Sequence, residues 1–323
     1  MSKKLSFSES LKTIPQNIFS GFVVSLIALP LGLGLAIASE APPLAGIIAA
    51  VAGGLVVSVF GGSHVTIAGP GNGLVIVLLA AITSLGEGNL FEGYLFTLAA
   101  IIFSGFLLFI FGVLRLGAMS EFFPATALQG MLAAIGVGIL AKQFHIMLGI
   151  RGVSGGTIEQ LMAIPDSFIN FIATHPFSGI LGFLSLVFLF LYSRIRNPYF
   201  HLIPAPMWVV VASIGIGYYY NLVLNEPVPI VQELLIKIPD QLFTNLPRPN
   251  FSKWFDIKFL GVVVSITLVA NIESLLSIKA VDKLDPKKRR SNVNKDLRAL
   301  GLASIVSGFL GGLNVVTVIA RSS

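Results

Sequence analysis

Apolar runs of roughly 20 residues, each long enough to cross a bilayer as a helix, recur along this chain and constrain its fold more than any other feature. They are expected at 18–38, 44–60, 91–113, 122–148, 177–192, 206–224 and 259–278. Charged residues make up 11% of the 323 positions, against about 25% in an ordinary soluble domain, and 55% are hydrophobic. A soluble fold is thereby excluded, and an all-α membrane protein is expected. With no cysteine, disulfides, thiolate metal sites and cysteine nucleophiles are ruled out. His64, His145, His175 and His201 form no i, i+4 pair and are read as interfacial or loop residues, so no metal site is expected. The chain offers no nucleophile with a matching base, and enzymatic chemistry is not expected.

No small-residue cleavage site closes the first apolar run, so it is not a removable signal peptide. Residues 8–19 are expected to form a short amphipathic helix on the membrane surface. With the N-terminus placed inside, the segments between spans hold fourteen Lys and Arg on the inner side and six on the outer. That excess predicts a cytoplasmic N-terminus in a multi-pass protein of the cell membrane. The basic run Lys287, Lys288, Arg289, Arg290 suits an inner loop beside anionic headgroups, and no nucleic-acid partner is expected. Residues 297–310 are read as a modest helix joining this loop to the last segment.

Two segments are too short or too broken to be ordinary spans. The first, 69–83, opens with Gly69, Pro70, Gly71, Asn72 and Gly73 after a short extended piece at 65–68. The second, from Leu313 onward, follows Gly311 and Gly312 and carries the β-branched run Val315, Val316, Thr317, Val318. Non-helical backbone at membrane depth is tolerated only where it is buried in protein or lines a cavity. Paired interruptions of this kind mark a transporter's binding site. Helices are expected to start near Gly71 and near Thr317, their free N–H groups and partial positive charge facing a small anion. The competing reading is that the glycines serve close helix packing.

Glu273 stands within an apolar span, whereas the other acidic residues fall in loops, polar segments or span ends. An intramembrane charge costs about 2.5–3.5 kcal/mol on insertion scales, which makes it a functional candidate. Ser277 lies one turn along the same face, and the pair suits a coupling Na⁺ or H⁺; a packing carboxyl is the alternative. Arg321 is placed one turn into the second broken helix, where it would offset Glu273 or attract substrate.

These residues resemble the SulP family of sulfate permeases along essentially the whole chain. The matching stretches are 28–36 (Ala28 to Ala36), Ile67 to Pro70, Ile203 to Pro206, Ile272 to Leu276, Asn294 to Gly301, Val306 to Gly312 and Val318 to Ser323. The resemblance implies an inverted-repeat transporter of the seven-plus-seven type, its third and tenth segments being half-helices that flank the substrate. The first repeat would cover residues 10–224 and an incomplete second repeat 257–323, the chain stopping within segment ten and carrying no soluble domain. It further implies secondary active transport of a small inorganic anion, sulfate or bicarbonate foremost, coupled to Na⁺ or H⁺ or by exchange. A passive channel and a purine- or borate-type carrier are the alternatives. Substrate contacts are expected from Ala68, Gly69, Pro70, Gly71, Asn72, Val316, Thr317, Val318 and Arg321, and the coupling cation at Glu273 and Ser277. Besides the anion and the bilayer, a homodimer is left open. The family commonly has Pro and Thr where this chain has Asn314 and Val316, and Thr in place of Gly71, so the choice of anion does not transfer.

Overall fold

Helix boundaries fall where the sequence supplies a cap or a proline. The computed structural model describes residues 7–117, 125–150, 156–174, 176–195, 203–230, 235, 246–285 and 287–318. In chain order the elements are α1 (Phe7–Ala38), α2 (Pro43–Phe60), β1 (Ile67–Pro70), α3 (Val75–Gly86), α4 (Leu90–Val113) and α5 (Ala125–Met147). They continue as α6 (Thr157–Met162), α7 (Ile164–Thr174), α8 (Pro176–Tyr192), α9 (Ala205–Tyr219, then a π turn at Tyr220–Leu224), α10 (Ile257–Leu284), α11 (Val293–Phe309) and β2 (Val315–Val318). Pro43 opens α2, where its missing N–H removes no helical bond. Asn89 caps α4, its Oδ1 accepting from the amides of Phe91 and Glu92 at 3.1 and 3.2 Å. Asp256 and Asn292 cap α10 and α11 in the same way.

The chain divides into two compact units, one from residues 1–30 and 184–228, the other from 31–183 and 229–323. In the first unit the Tyr192 hydroxyl donates to the carbonyl of Ile203 at 2.7 Å, tying the end of α8 to the start of α9. The second unit holds the core. There α4 packs against α3, α10 and α11, and α2 against α11 and β1. Leu98, Ile101 and Leu108 of α4 meet Leu297, Leu300 and Ala303 of α11, Ile266 and Ala270 of α10, and Leu78 and Ile82 of α3 in one buried cluster. Burial here replaces lipid contacts rather than water, so close packing holds these helices together more than transfer from water does. The opposite face of α10 shows the complementary pattern: Leu260, Val264 and Leu268 repeat every four residues and are exposed, a stripe suited to acyl chains.

Contacts between loops sort the second unit into two ends. At one end Lys142 pairs with Glu40 at 2.9 Å, Lys253 pairs with Glu87 at 3.1 Å, and the Asn250 amide donates to the Leu95 carbonyl. At the other, Asp296 accepts from the amides of Gly62 and Ser63 at 2.7 and 3.1 Å, and Asn294 accepts from the Gly117 amide at 2.9 Å. Each loop lies at the end that the alternating spans require.

Three expectations are corrected. Residues 8–19 do not form a separate surface helix; α1 runs unbroken from Phe7 to Ala38, through Pro15 and Gly21. The segment at 297–310 is no mere connector: α11 is the most enclosed partner of α4, with Leu297, Ala299, Leu300 and Ala303 fully buried. Its small residues, which lower its hydropathy, are what permit that close approach. His145 is not in a loop: it is buried in the last turn of α5, with Nδ1 2.7 Å from the Ser167 hydroxyl and Nε2 2.9 Å from the Gln160 carbonyl.

Candidate functional site

The two interrupted segments meet. β1 and β2 form an antiparallel pair with Ile67 opposite Val318, Ala68 opposite Thr317, Gly69 opposite Val316 and Pro70 opposite Val315. Every residue of β2 is buried, as are Ala68, Gly69, Pro70 and Gly71. Strands paired to each other satisfy backbone groups that hydrocarbon could not, which is how extended chain persists inside a helical protein. The β-branched run of β2 favours the extended form, and Pro70, without an N–H, sits at the end of its strand. Gly53 of α2 lets the pair come close: a Cβ there would lie 2.9 Å from both the Ala68 carbonyl oxygen and Val315 Cγ1.

The approach to β2 is braced by α11 and α4. Asn314 Oδ1 accepts from the Ser304 hydroxyl at 2.5 Å and from the Val315 amide at 2.9 Å. Ser307 donates to the Leu313 carbonyl at 2.6 Å, and the Tyr94 hydroxyl of α4 donates to the Gly311 carbonyl at 2.5 Å. Sequence reading missed this set, because Ser304 and Ser307 look like ordinary small residues of a packed helix.

β1 ends differently. After Pro70 the chain turns through Gly71, Asn72 and Gly73, and α3 begins at Val75. Glu273 of α10 reaches this turn: its Oε1 accepts from the Gly73 amide at 3.1 Å. A Cβ on Gly71 would stand 2.7 Å from Glu273 Oε2 and would overlap Val316 Cγ2, so three elements converge on a glycine that only hydrogen lets them share. Glu273 Oε2 is buried with no hydrogen-bond partner, and so are Asn271 Oδ1 and Ser274 Oγ on the same helix. Unsatisfied buried acceptors cost about 1–3 kcal/mol each, more when charged, unless a ligand or ion completes them. Ser277 is buried one turn beyond Glu273, and the two side chains share no hydrogen bond.

The predicted site residues therefore separate into groups. Ala68, Gly69, Pro70, Val316, Thr317 and Val318 lie in the strand pair, and Gly71 and Asn72 in the turn that follows β1. The expected helix start near Gly71 falls four residues later, at Val75, because Gly71 to Gly73 form the turn itself. The expected start near Thr317 is replaced by strand, since that residue pairs with Ala68. Likewise the extended piece expected at 65–68 is β1 at Ile67–Pro70. Arg321 lies outside the described residues. Among the described residues no group of three acidic or histidine side chains gathers to hold a metal. A cavity of about 190 Å³ lies beside the first turns of α3, lined by Val75, Ile76 and Leu79 with Gly138, Lys142 and Gln143 of α5, and not by the strands.

Residues 14–323 match the sulfate permease family. Among relatives, YvdB of Bacillus subtilis, a sulfate transporter by inference, is 26% identical over 316 residues, which are 97% of this chain and 56% of that one. The bicarbonate transporter BicA of Picosynechococcus is 26% identical over 307 residues, 94% of this chain and 51% of that one. The chain thus spans about half the length of the curated relatives it matches. Among solved structures, the transmembrane domain of a cyanobacterium bicarbonate transporter, BicA, aligns with a TM-score of 0.78 at 24% identity over 99% of this chain and 77% of that one. The fold is the multi-span, inverted-repeat fold of that transmembrane domain.

Proposed function

Because the chain belongs to the sulfate permease family, we propose that it carries the substrate site of a secondary active transporter for sulfate or bicarbonate, driven by Na⁺ or H⁺ or by exchange. Its family, together with five helices among the described residues that are long and apolar enough to cross a bilayer, makes it a multi-pass membrane protein, not an enzyme. The observation that carries the proposal is the convergence of β1, β2 and Glu273 on Gly71. Two inverted segments crossing inside a bundle leave helix-start amides, here those before α3, where an anion can be held without a permanent positive charge.

The anion contacts fall to Ala68 through Asn72 and Val316 through Val318, with Arg321 on the continuation of β2. Glu273, aided by Ser277, serves the coupling cation. An open anion channel is disfavoured because a carboxylate at these amides would repel the permeant ion. The excess of basic residues among Arg115, Lys279, Lys283, the run from Lys287 to Arg290, Lys295 and Arg298 supports a cytoplasmic position for that end of the second unit, and the same count over the whole chain supports a cytoplasmic N-terminus.

Uptake into vesicles holding the full-length protein tests this. Labelled sulfate or labelled bicarbonate should accumulate above its external level when a Na⁺ or H⁺ gradient is imposed. Equilibration without accumulation would favour a channel, and no flux of either anion would overturn the proposal.

A further inference from the structure

A helix start offers only a few free amides, and the one that this site presents most directly is already in use. Gly73 N–H donates to Glu273 Oε1, while Oε2 lies against Gly71, the position at which an incoming anion would need to reach the same backbone. The carboxylate is fixed to α10, so it acts at a high local concentration that no dissolved anion matches. Nor, among the described residues, is its charge offset from the elements packed around it. Strands β1 and β2 and helix α3 carry no ionisable side chain; α4 has Glu92 in its first turn and the Tyr94 hydroxyl, which is bonded to the Gly311 carbonyl. On α11 the charges are Lys295, Asp296 and Arg298, near its start, and on α10 itself they are Lys258 at one end and Lys279, Asp282 and Lys283 at the other.

We infer that Glu273 is a tethered competitor for the anion, so that a cation must neutralise it before the anion can bind. This inference rests on the anion site proposed above and adds an order of binding to it. With Glu273 charged, an anion at the turn would compete for the Gly73 amide and sit beside a like charge. A Na⁺ ion taken up at the unpartnered Glu273 Oε2, with Ser277 one turn along the same face, would remove that repulsion and draw the carboxylate off the amide. Cation first, anion second is then the favoured sequence, and anion movement without the cation is suppressed by the protein's own side chain.

Equilibrium binding of labelled sulfate, with labelled bicarbonate as a second probe, tests this on the full-length protein in lipid nanodiscs at fixed pH. With choline replacing Na⁺, Glu273→Gln should bind the anion about tenfold more tightly than the wild type, the scale set by removing a like charge at contact range. The wild type should tighten as Na⁺ is restored, and the variant should not. A variant that tightens while the wild type is indifferent to Na⁺ still supports the tethered competitor and identifies another cation as its partner. Glu273→Ala replaces the Gln variant if that protein does not fold; if neither folds, the wild-type Na⁺ series decides, and a flat series overturns the inference. Binding that is equally tight in wild type and variant, with or without Na⁺, also overturns it and leaves the anion site standing. Failure of both anions to bind in every arm overturns the anion site and this inference together.

Discussion

The two interrupted segments pair with each other, yet they are completed by different chemistry. β1 runs into a glycine turn whose amide is taken by a carboxylate from α10, whereas β2 is approached through Asn314, held by the Ser304 hydroxyl of α11. The first is a contact between elements that a bound ion can replace. The second is a buried brace between side chains and backbone, in which Asn314 Oδ1 is satisfied and Nδ2 has no hydrogen-bond partner. The two backbones are alike, but the carboxylate contact lies on the β1 side of the crossing.

Substitutions can break or sharpen that contrast. The largest effect is expected at Gly71. Gly71→Val would drive a branched side chain into Glu273 and Val316, and anion binding should be lost while membrane insertion, read by fractionation of the expressed protein, is retained. Unchanged sulfate affinity would show that the glycine only fills space. Next comes Glu273→Gln, which should suppress gradient-driven accumulation in vesicles while equilibrium binding of the anion is kept or tightened. A packing carboxyl would instead give lower stability with accumulation intact.

The β2 brace should behave otherwise. Asn314→Ala leaves the Val315 amide and the Ser304 hydroxyl with one fewer buried partner, at a cost of about 1–3 kcal/mol. Thermal unfolding in detergent should show that loss, with the cation dependence of anion binding unaltered. A changed cation dependence would mean that both sides of the crossing respond to ligand.

Most of the fold was legible because spans announce themselves by length and apolarity, and because Gly-Pro-Gly-Asn-Gly cannot continue a helix. The convergence of the broken segments followed from the same reasoning, and Glu273, a carboxylate alone in an apolar run, could be singled out before its contact with the glycine turn was known. What stayed hidden depended on tertiary pairing. Val315 to Val318 read equally well as the start of a helix or as strand, and only the partner strand decides. The Gly73 amide, the Ser304 brace and the burial of His145 are contacts between residues far apart in sequence. For α11, mixed small and polar residues masked a core helix, since close packing in a membrane selects small side chains rather than the most hydrophobic ones.

The smallest effect belongs to the loop between α10 and α11, outside the spans. Arg289 Nε donates to Asp285 Oδ2 at 2.8 Å and holds that carboxyl well below the usual carboxylate range. A depressed value contributes stability that is present above the unfolded pKa, about 3.9, and lost as pH falls through the folded value. Thermal melts of wild type and Asp285→Asn should therefore differ by a small, constant amount from neutral pH down to about pH 5 and converge in stronger acid. A difference that grows on acidification would reverse the assigned sign.

The proposed site depends on the meeting of β1 with β2, and since these 323 residues contain no cysteine, a pair introduced there can measure that meeting directly. Ala68 and Thr317 are opposite each other in register, so their Cα atoms lie about 4.5–5.5 Å apart, within reach of a disulfide. Val315 is two positions out of register with Ala68, at about 7–8 Å. In the full-length protein in membranes, mild oxidation should cross-link Ala68→Cys/Thr317→Cys readily and Ala68→Cys/Val315→Cys poorly. Cross-linking of neither pair, or of both equally, would contradict the crossing and remove the proposed site with it.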